Sequence, residues 1–417
     1  MIRRLVPLTA LLALLALGAA ACGGGAPATT PGAESSEGAA PSGPIVIGAL
    51  HPLTGGLAVD GQQMADAAQL AVDEINEAGG IESLDGARLE LASADTTGAA
   101  EVAQSEAQRL IQDGAVALVG PYQSAVASQI AAVAERNSIP FVIDVATADS
   151  ILNQGYTYTF RMQPNASGMG AVGAQYLADL AESSGTTIEK VGYMHEQTEF
   201  GTTVMEAFKA EAESLGMTVD PVISYDAFQA SDLTTEVTRI KEAGVDALAV
   251  TGYYRDGLLI ANNVAAVQPG VQAVIGIANG AYDLPQFPTD AGEKAEGYLD
   301  ANYHPDVTQE GYQELAEKFK AAYGADIRTP AVLSYEAVRL VAAGLEEAGS
   351  VDRADLREAI SGLTFETIMA GNGPVEFDEK GENTNAVPIL MQVQSGAVKQ
   401  IYPADFAEAE PVFPAAK

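Results

Sequence analysis

From Ile45 onward, short apolar runs of strand length alternate with amphipathic stretches of helical length, and the alternation occurs in two successive series. The first series reads as strand Ile45–Leu50, helix Gly61–Ala78, strand Arg88–Ala94, helix Ala99–Gln112, strand Ala115–Val119, helix Ala125–Arg136 and strand Phe141–Val145. In its first helix Met64, Ala67, Ala68, Ala71, Val72 and Ile75 share one face. After Pro164 come helix Gly168–Glu182, strand Lys190–Met194, helix Thr202–Leu215 and strand Val219–Ser224. Helix Leu233–Glu242, strand Ala247–Thr251, helix Asp256–Val267 and strand Ala273–Gly276 complete this second series. Such alternation predicts an α/β fold with parallel sheets covered by helices on both faces. Two series predict two doubly wound, Rossmann-like lobes with a cleft between the carboxyl ends of their strands. The remainder reads as helices Glu310–Tyr323, Val332–Ala348 and Ala354–Ser361, then strands Val375–Phe377, Val387–Val393 and Val398–Ile401. The turn DEKGENTN, residues 378–385, is expected to join the first two of those strands. Size agrees, because Ile45–Lys417 exceeds the roughly 250–300 residues that one core covers.

The chain begins differently. Arg3 and Arg4 precede an apolar run, Leu5–Leu17, which is shorter than the roughly 20 residues a membrane-spanning helix needs. Ala19, Ala20 and Ala21 then lead to Cys22, the single cysteine of the chain. A small-residue stretch ending on a lone cysteine is the bacterial lipobox pattern, so residues 1–22 are expected to be a lipoprotein signal with Cys22 lipidated. Ala19 departs from the leucine usual there, and plain secretion after cleavage near Ala21 is the alternative. With no second cysteine, no intrachain disulfide can form. Residues 23–44 are rich in Gly, Ala, Pro, Ser and Thr and lack periodic hydrophobics. They read as a flexible tether reaching roughly 25 Å. The expected location is therefore extracytoplasmic, with membrane attachment through the lipid alone. Asp and Glu number 56 against 21 Lys and Arg. A surface so acidic repels nucleic acid and anionic headgroups, which excludes nucleic-acid partners.

Catalytic and cofactor chemistry find little footing. Gly168-Met169-Gly170-Ala171-Val172-Gly173 matches the dinucleotide fingerprint, with Glu196 further on. The polar stretch MQPNAS, residues 162–167, separates those glycines from the preceding strand, so the tight strand-to-helix turn is missing. The small residues are expected instead to let a helix lie close to a neighbouring backbone, and no cofactor is expected. No nucleophile elbow is present, and the three histidines, His51, His195 and His304, are scattered. His195 with Glu196 and Glu199 reads as strand-end polarity, and the acids of Asp378–Glu382 lack calcium-loop spacing, so no metal is expected. The chain is not expected to be an enzyme. What recurs is hydroxyls and aromatics at strand carboxyl ends. Strand Ala115–Val119 leads through Tyr122 into Ser124, which reads as a helix N-cap, and strand Phe141–Val145 ends at Ala146-Thr147. Two hydroxyls beside helix N-terminal N–H groups suit a small carboxylate, although Ser and Thr are good N-caps in any case. On the other lobe, Thr251-Gly252-Tyr253-Tyr254 offers aromatic cover for an apolar ligand body.

These residues resemble the leucine/isoleucine/valine-binding protein family, the type I periplasmic binding proteins of ABC importers. The resemblance is carried by IVIGALHPLTGGLAVDGQQMADAAQLAVDEINEAGGI, LVGPYQSAVASQIAAVAERNSIPFVIDVATADS, GYTYTFRMQP and TGYYRDG. It implies two lobes joined by three crossover strands, near Asn165–Ser167, Ala301–Tyr303 and Asn372–Val375. Lobe 1 would then be 45–165 with 302–373, and lobe 2 would be 166–301 with 374–417. It implies that Ser124 and Thr147 bind a ligand carboxylate and that Val145 and Ala146 supply adjacent main chain. Tyr253 and Phe200 would form aromatic walls. Relatives that bind amino acids clamp the ammonium with a second-lobe acid, whereas the matching segment here, 276–280, carries Asn279. Asp60 stands where a pocket aromatic is common, and Asp144 replaces a neutral residue near Thr147. A buried charge demands a partner. Either Asp60 takes the ammonium, or the ligand is an aromatic carboxylate, a small amide or a similar solute. The implied partners are a hydrophobic amino acid or related small carboxylate, and the permease and ATPase of an ABC importer; a sensor subunit is the alternative role.

Overall fold

The computed structural model describes residues 43–417, so the signal, Cys22 and the tether up to residue 42 lie outside the described residues. The first sheet contains five parallel strands in the order β2-β1-β3-β4-β5. These are β1 (Ile45–His51), β2 (Leu89–Asp95), β3 (Ala117–Gly120), β4 (Phe141–Ile143) and β5 (Thr159–Arg161). Helices α1 (Ala58–Glu77), α2 (Ala100–Gln112) and α3 (Ser124–Arg136) connect them. Side chains alternate across the sheet, as strand geometry requires. Ile45, Ile47, Ala49, Val119 and Val142 face one apolar layer, while Leu50, Leu118, Phe141 and Ile143 face the other.

The second sheet repeats the plan. After α4 (Ala166–Ser184) come β6 (Lys190–Glu196), α5 (Glu199–Ser214), β7 (Thr218–Tyr225), α6 (Thr234–Ala243) and β8 (Ala247–Thr251). They are followed by α7 (Tyr254–Val267), β9 (Ala273–Ile277), α8 (Phe287–Ala291) and β10 (Leu299–Asn302). The strand order β7-β6-β8-β9-β10 is the same parallel 2-1-3-4-5 winding, extended at the β10 edge by two antiparallel strands. Those are β13 (Ile389–Gln394) and β14 (Ala397–Tyr402). Between β10 and β13 in sequence lie β11 (His304–Pro305), α9 (Glu310–Tyr323), α10 (Thr329–Ala348), α11 (Arg353–Gly362) and β12 (Met369–Ala370). Leu340, Val341, Leu345, Leu356 and Ile360 of α10 and α11 join the apolar layer of the first sheet. The short pair β11–β12 is antiparallel. The two doubly wound sheets are as the alternation predicted. Among the described residues, no helix is long and apolar enough to cross a membrane.

Two readings need correction. Val375–Phe377 does not pair with the strand that begins near Val387. Residues 374–385 instead fold over the first sheet, where Val375 bridges Phe365 and Glu382 bridges Arg161. The ring of Phe377 packs on Phe160 with centroids 5.1 Å apart. The third passage between sheets therefore follows Asn385 rather than falling near Asn372–Val375, and 374–385 belongs with the first sheet. The cause is a long-range one: the apolar face of this hairpin is buried by Phe160, not by its sequence neighbours. The second correction is Ser124, which is the first residue of α3, with Gln123 at the N-cap position. The small residues of the dinucleotide lookalike let α4 lie close to a neighbouring backbone, as expected. A Cβ at Gly170 would lie 2.4 Å from the Val204 carbonyl oxygen of α5.

Gly120 ends β3 with φ +122°, and a Cβ there would meet the Leu50 carbonyl oxygen of β1 at 2.3 Å. Left-handed backbone and backbone contact together leave room for glycine alone. Gly120→Ala is expected to lower unfolding stability by about 3 kcal/mol, read as a fall in denaturant midpoint. A loss below about 1 kcal/mol would show that the β1–β3 contact is adjustable.

Candidate functional site

In a 2-1-3-4-5 sheet the winding reverses beside the first strand, and a crevice opens there at the carboxyl ends. In the first sheet this point lies between β1 and β3, where the chain passes from Gly120 to Ser124. The Ser124 hydroxyl accepts N–H groups from Thr147 at 3.2 Å and Ala148 at 3.1 Å. Both lone pairs are thus used, leaving the hydroxyl proton to donate. The loop 145–148 is held by three further residues. Thr147 O accepts the Ala166 N–H at 2.8 Å. Gln163 Nε2 donates to Ala146 O at 3.2 Å. Arg161 Nη1 donates to Ala148 O at 3.0 Å and reaches Ala146 O at 3.5 Å. Arg161 is fully buried and forks onto Glu382, with Nε 2.9 Å from Oε2 and Nη2 closing on Oε1. Among the described residues, Thr147 Oγ1 makes no side-chain bond to protein, so it too is available.

The second sheet offers its own reversal, between β6 and β8. Glu196, ending β6, accepts N–H groups from Thr198 at 2.8 Å and Gly201 at 2.7 Å, which fixes the start of α5 and Phe200. Past β8, Asp256 accepts the Tyr253 N–H at 3.0 Å and the Tyr225 hydroxyl at 2.6 Å, capping α7. Burial pushes the Asp256 carboxyl up to about 7, against the lowering effect of the Tyr225 hydrogen bond. The Tyr253 ring centroid lies 5.8 Å from Tyr122, 5.9 Å from Phe200 and 5.4 Å from Phe228. Ala278, at φ +53°, and Gly280 finish this wall.

The two reversals face each other. Ser124, Val145 and Thr147 on one side meet Phe200, Tyr253 and Gly280 on the other, and Tyr122 and Tyr303 also line the space. The cavity between them is small, about 20 Å³, the room of a water or two. Every lining residue is uncharged. Burial holds the hydroxyls of Tyr122, Tyr253 and Tyr303 well above the usual phenol value, so they act as hydrogen-bond donors.

Five of the expected residues, Ser124, Val145, Thr147, Phe200 and Tyr253, are brought together there; three are not. Ala146 is buried behind the wall, its carbonyl held by Gln163. Asn279 turns inward, its Oδ1 accepting the Ala281 N–H at 3.0 Å and its own N–H meeting Asp300 at 3.3 Å. Asp60 is not free to meet an ammonium, because Arg328 Nη1 sits 2.8 Å from its Oδ1 and the Arg328 guanidinium stacks over Tyr254 at 4.4 Å. Burial raises the Asp60 carboxyl and Arg328 opposes that rise. Asp144 likewise has partners, His51 Nε2 at 2.8 Å and Ser334 Oγ at 2.6 Å. The lining residues missed from sequence are Tyr122, Gly252, Ala278, Gly280 and Tyr303. Tyr122 follows the strand-end signal used for Ser124 and was legible there. Among the described residues, no cluster of His, Cys, Asp and Glu suits a metal ion.

Residues 44–397 match the model of the periplasmic binding protein family. A relative from Brucella melitensis, named Leu/Ile/Val-binding protein homolog 8, is 29% identical over 378 residues, covering 88% of this chain and 92% of its own. A leucine-binding protein from Thermotoga maritima superposes with a TM-score of 0.74 at 23% identity, covering 86% of this chain and 98% of its own. A solute-binding protein from R. palustris, solved with benzoate, gives 0.73 at 21% identity over 90% and 99% of the two chains.

The Asp256 carboxyl also carries a pH dependence. Its folded value, about 7, exceeds the exposed value of 3.8, so the folded state keeps a proton that the unfolded chain has released. The stabilisation is complete below about pH 4 and fades as pH rises towards 7. Wild type minus Asp256→Asn stability is expected to fall by a few kcal/mol across that range, at about 1.4 kcal/mol for each step of one in pH. Parallel stability curves in urea would contradict it.

Proposed function

We propose that this chain, which belongs to the periplasmic binding protein family, is the solute-capturing subunit of an ABC importer, tethered outside the cell by a lipid on Cys22. Its solute is a hydrophobic amino acid or a related small carboxylate, taken up as the lobes close. One observation carries the reading: the Ser124 and Thr147 hydroxyls, each with a proton to give, face an aromatic wall built by Tyr253 and Phe200. The hydroxyls and the amino end of α3 meet a carboxylate, since helix N-termini favour negative charge. The rings cover an apolar body. The names of the relatives support this class. With the cavity at about 20 Å³, a solute enters only when the lobes part. The three crossings at 162–165, 302–304 and 386–388 are the hinges of that motion. The residues that bind are not arranged for chemistry, and the proposed role includes no catalytic step.

A second reading concerns the solute's other end. No acid lines the cavity and Asp60 is engaged by Arg328, which favours a carboxylate without an ammonium, such as an aromatic acid. A neighbour of the same fold holds benzoate.

Thermal-shift measurements with leucine, isoleucine, valine, phenylalanine and benzoate decide the class. At least one of these is expected to raise the melting temperature, and a panel that fails while an unrelated solute succeeds would refute the assignment. Ser124→Ala and Thr147→Ala are each expected to weaken the stabilising carboxylate about 10- to 100-fold, the worth of a hydrogen bond to a charged group. Unchanged calorimetric titration in both variants would remove the anchoring role. Cys22→Ser is expected to move the expressed protein from the detergent phase to the aqueous phase on Triton X-114 partition, since the acyl chains are the attachment. Retention in the detergent phase would contradict lipidation at that residue.

A further inference from the structure

Phe228 is a large apolar side chain left 39% exposed, yet its surroundings are built with care. It belongs to the loop between β7 and α6. Asp226 Oδ1 accepts the N–H groups of Phe228 at 3.0 Å and Gln229 at 3.1 Å, which makes a tight local turn. Arg255, in the first turn of α7, donates to Phe228 O and Ala230 O, both at 3.1 Å. The turn is therefore fixed to α7, whose N-cap position is Tyr253, and the Phe228 ring rests on the Tyr253 ring.

The outer edge of that ring meets the other lobe. Gly56, between β1 and α1, has no side chain, and a Cβ there would lie 3.2 Å from Phe228 Cδ1. Around it lies a pit of about 180 Å³ whose wall includes Pro52, Thr54, Thr97 and Gln123, all from the first lobe, with Phe228 as the contribution of the second. The pit is held in shape by Asp95. Its carboxylate accepts N–H groups from Leu53 at 2.9 Å and Thr97 at 2.7 Å, and the Thr54 hydroxyl at 2.6 Å. Plug and socket are thus each pre-formed by hydrogen bonds within their own lobe, and the ring does not line the capture cavity.

We propose that Phe228 is a latch: its ring, seated against Gly56, holds the closed lobes together and braces Tyr253 over the solute. This rests on the capture of a solute between the lobes. Because the ring backs Tyr253 from outside and does not itself line the cavity, it sets how long any solute stays rather than which solute enters. Closing strength and solute choice therefore reside in different residues, Phe228 for the first and Tyr253 for the second.

The chain has no tryptophan, so Phe228→Trp introduces a single reporter at the latch. In the ligand-free protein its emission is expected to lie to the blue of free tryptophan. Adding Gly56→Val, which fills the seat, is expected to shift it red and raise acrylamide quenching. Emission indifferent to Gly56→Val overturns the latch. Leucine and benzoate then serve as probes, whichever of them stabilises the wild type. Phe228→Ala is expected to speed probe dissociation about tenfold with little change in the association rate, and by the same factor for both probes where both bind. An unchanged dissociation rate, or a change in association alone, also overturns it. If neither probe stabilises the wild type, whichever of isoleucine, valine and phenylalanine does so replaces them; if none of the five does, the solute assignment fails, while the ligand-free emission still judges the latch.

Discussion

Arg161 carries the constraint on which the cleft depends. A guanidinium removed from water persists only when it is paired and its donors are used. Arg161 is fully buried, and it meets that demand with Glu382 and the carbonyl oxygens of Ala146 and Ala148. Those partners come from two distant parts of the chain. One is the hairpin that precedes the third crossing, and the other is the loop that presents Thr147. The loop cannot shift without loosening a buried charge pair, so the Ser124 and Thr147 hydroxyls are pre-placed at the cavity. Ser124 completes the arrangement, because its oxygen accepts the N–H groups of Thr147 and Ala148 and so points its own proton elsewhere.

Around this joint, charge is kept out of the cavity. The chain carries a formal net charge of −35, yet the lining holds none. Asp60 is neutralised by Arg328, Asp144 is held by His51 and Ser334, and Asp283 accepts the Thr329 hydroxyl at 2.7 Å. A protein so acidic can still receive an anion, because the local field is set by hydroxyls and N–H groups within a few ångströms. The distant surface carboxylates are screened over a Debye length of roughly 8 Å.

Much of this was legible in the residues. The 2- and 3.6-residue periodicities specify the two sheets and most helices, since each local pattern agrees with the face it buries. Ser124, Thr147 and Tyr253 were found because carboxyl-end residues of parallel strands form the crevice in such folds, whatever the loop sequence, whereas Phe200 came from the family resemblance alone. What escaped were partners fixed by tertiary packing. Nothing local near Asp60 announces Arg328, 268 residues away, although a buried acid signals that some cation must exist. The 374–385 hairpin has strand-like spacing, and only the placement of Phe160 decides which sheet receives it. Ser124 has the local signature of an N-cap, and its use across the loop depends on how closely β3 and β4 lie.

Capture of a solute between the two strand-end walls is tested most directly by hydrogen exchange with and without a saturating small carboxylate that raises the melting temperature. The account requires added protection on both sides at once, at residues 145–148 of the first lobe and at 252–254 and 278–280 of the second. Protection confined to one lobe, or centred away from these segments, would contradict it.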